Sequence, residues 1–138
     1  MKKYEFLEHT ADAKFRAYGK SHEEAFSNAA QAMISVMADP AKIEPKEKKK
    51  ISVEGRDMEA LLYNFLEEFL FLLDVEGFLL KEIKKIRIRK TKKKMPYSLE
   101  AEAVGDKAGK YDTHGNVKAV TYNDMKIAKS YVQVVVDI

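Results

Sequence analysis

Four groups of residues in this sequence have types and spacings that could do chemistry. The first is Val134-Val135-Val136-Asp137-Ile138, where an aspartate interrupts an apolar run one residue before its end. Asp is a poor strand former, and the terminal carboxylate of Ile138 would add a second anion beside it. Such a pair offers hard oxygen donors of the kind that Ca²⁺, Mg²⁺ or Mn²⁺ takes; the competing reading is a frayed, solvated chain end. The second group is His9-Thr10-Ala11-Asp12. Asp12 falls at a break between two strand-like segments, where it could serve as a metal ligand or acid/base group, or close an Asx-turn on its own backbone. A lone histidine such as His9 is more often packed or capping than ligating.

The third group is Asp112-Thr113-His114, in a stretch that also holds Gly105, Gly109 and Gly115, with Lys118 close behind. Loops of this composition often carry function, and they are equally often just polar. Lys118 shares a strand face with Val120 and Tyr122, so it needs a partner or a route to solvent. The fourth group is the stretch 81–94, with nine Lys and Arg and the single acid Glu82. It could follow an RNA backbone, or it could be a solvated face whose lysines protect a sheet edge. Little aromatic character accompanies it apart from Tyr97, so a base-stacking platform is missing.

These residues need elements to position them. Tyr4 and Phe6 alternate at period two, and Phe15 and Ala17 alternate with Lys14 and Arg16, which predicts two strands flanking the His-Thr-Ala-Asp piece. Ser21 and Glu24 form an S-x-x-E capping box, and Ala25, Phe26, Ala29, Ala30, Met33, Ile34 and Met37 mark one helical face behind it, stopped at Asp39-Pro40. Residues 41–48 read as a loop, and 50–54 as a strand around Ile51 and Val53. Asp57 can cap a second helix that runs to about Val75 and ends at Gly77; its apolar second half, Phe69 to Leu73, suits a central core position.

Everything after Gly77 reads as β: a strand around Ile86 and Ile88, a turn over 90–96, and a strand around Leu99 to Ala103. A loop over 105–116 precedes three more strands, 117–122, 125–129 and 131–136, with turns at Asn123-Asp124 and Lys129-Ser130. The expected fold is α+β: one mostly antiparallel β-sheet with two packed α-helices, in a single compact domain over 1–138.

Composition narrows the chemistry. The chain has 138 residues, 25 Lys and Arg against 22 Asp and Glu for a net charge of +3, and no cysteine. A thiolate nucleophile, a thiolate metal site and a disulfide framework are excluded. The longest apolar run, Phe69 to Leu73, is far short of the ~20 residues that span a bilayer, so a cytoplasmic location without membrane contact is expected. The P-loop, the dinucleotide-binding glycine turn, the G-x-S-x-G elbow and the H-E-x-x-H pair do not occur.

Taken together, the motifs resemble the archease family. His9-Thr10-Ala11-Asp12 is similar to its N-terminal signature, Ser21 to Phe26 and Leu61 to Glu68 to its helix signatures, Val117 to Tyr122 to its Lys-Ala-Val/Ile-Thr-Tyr strand, and Val136-Asp137-Ile138 to its Asp-Ile end. The five matches occur in order over nearly the whole chain. The resemblance implies an accessory protein rather than an enzyme, one that promotes guanylylation and multiple turnover of the RtcB-type RNA ligase sealing tRNA halves. It also implies a broader nucleotide use by that ligase, with tRNA and GTP as indirect partners. It further implies a divalent cation, calcium in the family pattern, held by Asp12, Asp137 and the carboxylate of Ile138, with Lys118 functional. In two places the sequence departs from the pattern: Asn123 replaces the usual His after Thr-Tyr, and the loop at His114-Gly115-Asn116 is short and lacks the usual Glu. Three alternatives stay open: a basic RNA-binding module using 81–94, a chaperone-like modulator, and a small metal-dependent hydrolase with His9 or His114 as base.

Overall fold

Local chemistry starts and stops the two helices where the sequence pattern places them. In this computed structural model, which describes residues 2–8 and 12–138, helix α1 spans His22–Ser35 and Ser21 is its N-cap. The Ser21 hydroxyl accepts from the Glu24 N–H at 3.1 Å. The Glu24 carboxylate reaches back one residue further than in a standard capping box, to the Lys20 N–H at 2.7 Å. Helix α2 spans Met58–Glu76, begins with the Asp57 carboxylate on the Ala60 N–H, and ends at Gly77 with φ 66°. That left-handed conformation costs glycine little and other residues more.

Among the described residues, seven strands pair antiparallel in two sheets. The first sheet holds β1 (Tyr4–Leu7), β2 (Ala13–Tyr18), β6 (Ala119–Ile127) and β7 (Tyr131–Asp137), in the order β1-β2-β7-β6. The second holds β3 (Glu47–Gly55), β4 (Phe78–Lys90) and β5 (Tyr97–Lys107), in the order β3-β5-β4. The α+β class and the single compact domain are as the sequence implies, but the single sheet is two. Both helices touch strands of both sheets, and the apolar faces meet around them. Phe15, Phe26, Leu61, Phe65, Leu99 and Val134 all lie in this one core.

Both helices run in the same sense along the molecule. Glu23, at the start of α1, accepts from the Ile88 N–H at 3.4 Å, whereas Gln31 donates to the Lys81 carbonyl at 3.1 Å. Asn64, early in α2, donates to the Glu54 carbonyl at 2.8 Å, and Glu76, at its end, pairs with Lys49 at 2.6 Å. Along the first sheet, Tyr63 stacks on Tyr122 at 4.5 Å and Glu67, one turn on, accepts from the Val120 N–H at 2.7 Å. The helix starts therefore lie at the β4–β5 turn, and α2 ends toward Lys118. With 19 residues, α2 measures about 28 Å.

Three further expectations are corrected. Residues 117–122 and 125–129 are not two strands joined by a turn: β6 is continuous, with a register shift between Thr121 and Lys126 and with Asp124 at φ 52°. Asn and Asp tolerate positive φ equally in a hairpin turn and in a bulge, so composition does not separate the two. Residues 105–107 belong to β5 rather than to a loop; a Cβ on Gly105 would lie 2.1 Å from the Leu79 carbonyl, so glycine is what lets β4 approach. Strand β4 also starts at Phe78, earlier than its alternation suggests, because shifts between Leu80 and Glu82 and between Ile83 and Lys85 break period two.

Candidate functional site

The register of the first sheet brings residues from distant parts of the chain to one end. Ala13 of β2 pairs with Val136 of β7, so Asp12 and Asp137 occupy adjacent positions one step beyond that pair. On the other side of β7, Ala119 pairs with Asp137, and the Lys118 N–H donates to the Asp137 carbonyl at 2.7 Å. Asp12, Asp137, Ile138 and Lys118 thus gather where β2 begins, β7 ends and β6 begins. Strand alternation puts Asp12 and Asp137 on one face. Lys118 and Asp137 are exposed, and Asp12 is half-buried.

The face that carries the two aspartates is braced by a polar lattice. Gln133 is buried to 1% exposure within β7. Its carbonyl oxygen accepts from Arg16 Nε at 2.9 Å, and its amide donates to the Asp124 carbonyl at 2.8 Å. Arg16 also lies over the Tyr131 ring at 4.7 Å. Lys14, two positions along β2 from Asp12, pairs with Asp124 at 3.5 Å. The Thr121 hydroxyl donates to the Val135 carbonyl at 2.8 Å. Two kinds of contact thereby hold the β6 bulge against β7, and a buried amide with both ends satisfied fixes the spacing.

β6 is an edge strand, and its outward N–H groups need partners or water. Glu67 supplies one at Val120, and the Tyr63–Tyr122 stack, 8° from parallel, holds the next turn. Burial, aided by Tyr63, raises the Tyr122 hydroxyl above the ordinary tyrosine range. None of Lys14, Gln133 and Glu67 stands out in the sequence as a site residue; the only signal is a lone polar residue, Gln133, inside an apolar strand.

The remaining candidates fall elsewhere. His9 lies outside the described residues. Asp112 and His114 are exposed in the segment that leads to β6. The His114 N–H donates to the Met37 carbonyl at 2.9 Å, just beyond α1. Among the described residues, no hydrogen bond or ion pair joins Asp112 or His114 to Asp137 or Lys118. The segment itself is anchored by Asp106, buried at 2% exposure. Asp106 accepts from the Tyr111 hydroxyl at 2.6 Å, from the Lys107 N–H at 2.8 Å and from Lys110 at 3.3 Å. The Tyr111 bond, helped by the other two, holds the Asp106 carboxyl below the usual range. The same bond raises the Tyr111 hydroxyl.

Two carboxylates at one strand end repel each other unless a cation or a lysine neutralises them. As hard oxygen donors they suit an ion such as Ca²⁺. Among the described residues, no three His, Asp or Glu side chains group closely enough to hold a metal ion. A cleft of about 910 Å³ lies away from these residues, lined by Ser21, Lys50, Lys85, Arg87 and Glu102 among others.

A sequence profile of the Archease protein family (MTH1598/TM1083) matches residues 4–138. The chain belongs to the archease family. It is 47% identical over 131 residues to Protein archease of Pyrococcus abyssi, covering 94% of this chain and 90% of that one. It is 42% identical over 146 residues to Protein archease of Methanosarcina barkeri, covering 99% and 97%. The solution structure of Methanobacterium thermoautotrophicum protein 1598 superposes with a TM-score of 0.79 at 32% identity, covering 100% of both chains. Archease membership thus accounts for the five sequence motifs, three of which lie wholly or partly at the sheet end described above. Among the described residues, no helix is long and apolar enough to cross a membrane.

Proposed function

We propose that this archease-family chain is a non-enzymatic accessory protein of the cytoplasm that activates an RtcB-type RNA ligase. It promotes guanylylation of the ligase and its repeated turnover, and broadens the nucleotides the ligase accepts; GTP and tRNA are the substrates of that partner. The observation that carries this reading is the convergence of Asp12, Asp137 and Lys118 at one sheet end. An acidic tip with an exposed lysine beside it fits a partner pocket that holds divalent metal and nucleotide phosphates.

In this reading, Asp12, Asp137 and the Ile138 carboxylate hold a divalent ion, Ca²⁺ in the family pattern. When bound, the ion relieves the repulsion between the carboxylates and offers a hard Lewis acid to phosphate oxygens. Lys118, anchored through its backbone to Asp137, places its ammonium where it can contact a phosphate. The braced β6–β7 spacing keeps these groups in register, which is the preorganisation that such electrostatic help requires.

The test is a guanylylation assay of the purified ligase with GTP and the wild-type, Asp12→Ala or Asp137→Ala protein. Each substitution is expected to cut the stimulation about tenfold or more, the equivalent of about 1.4 kcal/mol at the rate-limiting barrier, while the folded baseline in circular dichroism stays unchanged. Calcium titration by calorimetry should lose its heat in both variants. Wild-type stimulation by either variant would overturn the reading.

A further inference from the structure

The +3 balance of the chain hides a polar distribution. Residues 81–94 alone carry +8, so the rest of the chain is net −5. The structure spreads this excess along β4 and into the β4–β5 turn. Lys81 lies beside the end of α1, whereas Arg87, Arg89, Lys90, Lys92, Lys93 and Lys94 lie at the turn end, where the helices start, away from the carboxylate tip toward which α2 runs.

Several cations elsewhere on the second sheet have carboxylate partners, and within the stretch Lys84 pairs with Glu82 at 2.7 Å. Lys46, just before β3, and Lys48 and Lys49 within it pair with Glu44, Glu102 and Glu76 at 3.4, 3.1 and 2.6 Å. Arg87, Arg89, Lys90, Lys92, Lys93 and Lys94 are exposed and make no ion pair among the described residues. Edge protection explains cations on β4, an edge strand. It does not explain Lys92, Lys93 and Lys94, which lie in the turn beyond the last ladder pair, Lys90 with Tyr97. Concentrating unpaired like charge at one turn costs self-repulsion that an interleaved surface avoids.

We propose that this end binds the phosphate backbone of single-stranded RNA. Arg87 and Arg89 stand two residues apart on one strand face, about 7 Å, and Lys92, Lys93 and Lys94 follow them in the adjoining turn. The aromatic residue of the hairpin, Tyr97, is half-buried and has Lys90 over its ring at 5.4 Å. It is not free to stack on bases, so recognition is of phosphate and is independent of sequence. That the polyanion is RNA rests on the proposed function; the existence of a polyanion surface does not.

The experiment uses the protein alone, so its failure is separable from failure at the tip. Fluorescence anisotropy is measured for a labelled 20-nucleotide oligouridylate between about 50 and 200 mM salt. The patch variant is R87Q/R89Q/K92S/K93S/K94S, and the control K20S/K46S/K129S removes exposed charge elsewhere. Wild-type affinity is expected to fall with salt at a slope of about −0.7 per phosphate neutralised. The patch variant should lose at least about tenfold in affinity at the low-salt point and flatten the slope by about 3, with the control changed far less. Absent wild-type binding, or equal losses in patch variant and control, would overturn the proposal. Tighter binding of a polyglutamate peptide than of the RNA would also overturn it and assign the surface to an acidic protein.

Discussion

The two charged ends are built in opposite ways. The basic end is local: eight consecutive residues, 87–94, carry six Lys and Arg and no acid, and any conformation of the turn keeps those cations near one another. The acidic tip is non-local: residues 12, 118 and 137 meet only because β2, β7 and β6 adopt one register. A charge patch written into consecutive residues survives loosening of the fold, whereas a site assembled by register does not, since a one-residue slip of β7 would move Asp137 to the other face. The difference suits the proposed roles. Backbone phosphate tolerates imprecise cations, but a metal- or phosphate-organising tip needs groups placed to fractions of an ångström.

The largest perturbation should therefore separate the ends. Phe65 is fully buried and packs against Phe26 and Phe69 at ring distances of 6.2 and 5.1 Å. Phe65→Ala is expected to cost 3–5 kcal/mol, by lost burial plus the cavity left behind, as read from urea unfolding. Stimulation of the ligase should collapse at temperatures where the variant is still partly folded, while salt-dependent RNA binding declines much less. Parallel loss of both would show that the basic end, too, depends on the folded core.

A smaller change acts on the tip alone. The Glu67 carboxylate accepts from the Val120 N–H and so fixes the edge strand that delivers Lys118. Glu67→Ala should cost about 1–2 kcal/mol, the range for a hydrogen bond to a partly exposed charged group. It should lower ligase stimulation while leaving RNA affinity unchanged. Glu67→Gln, which keeps an acceptor, should recover most of the loss; failure to do so would argue for a direct contact of Glu67 with the partner instead.

What was legible in the sequence follows the same division. The helix caps at Ser21 and Asp57, the stop at Gly77 and the alternation in β2, β5 and β7 are local signals, and the structure has them all. The basic stretch was equally plain. The split into two sheets was hidden, because which strands pair is decided by long-range packing that no window of sequence contains. The continuity of β6 was hidden because Asn123-Asp124 satisfies the chemistry of a turn and of a bulge alike. Asp137 was conspicuous as an acid within an apolar run, and its meeting with Asp12 was implied only by family resemblance. The bracing by Gln133 left only the faint signal of one polar residue in an apolar strand, and that by Glu67 left none: an edge-capping carboxylate reads as an ordinary polar residue until its partner is seen.

The smallest effect concerns pH and again singles out the tip end. Asp106 anchors Tyr111, whose hydroxyl also accepts from the Glu44 N–H at 2.9 Å, and so steadies the segment that leads to Lys118. The Tyr111 hydrogen bond depresses the folded-state pKa of Asp106. A depressed carboxylate contributes stability that is fully present above its unfolded pKa, about 3.9, and is lost as pH falls through the lower folded value. The wild-type protein should therefore lose thermal stability more steeply than Asp106→Asn once the pH drops below about 4. At neutral pH the variant should melt a few degrees lower, a shift on the scale of a modest change in a domain of this size. Calorimetric melting from pH 7 down to 3 checks both parts. RNA binding at neutral pH should be indifferent to the substitution, because Asp106 pairs with Leu79, at the opposite end of the hairpin from the β4–β5 turn. A variant whose acid sensitivity matches the wild type would show that other carboxylates dominate acid unfolding and that the Asp106–Tyr111 bond does not set the stability of this end.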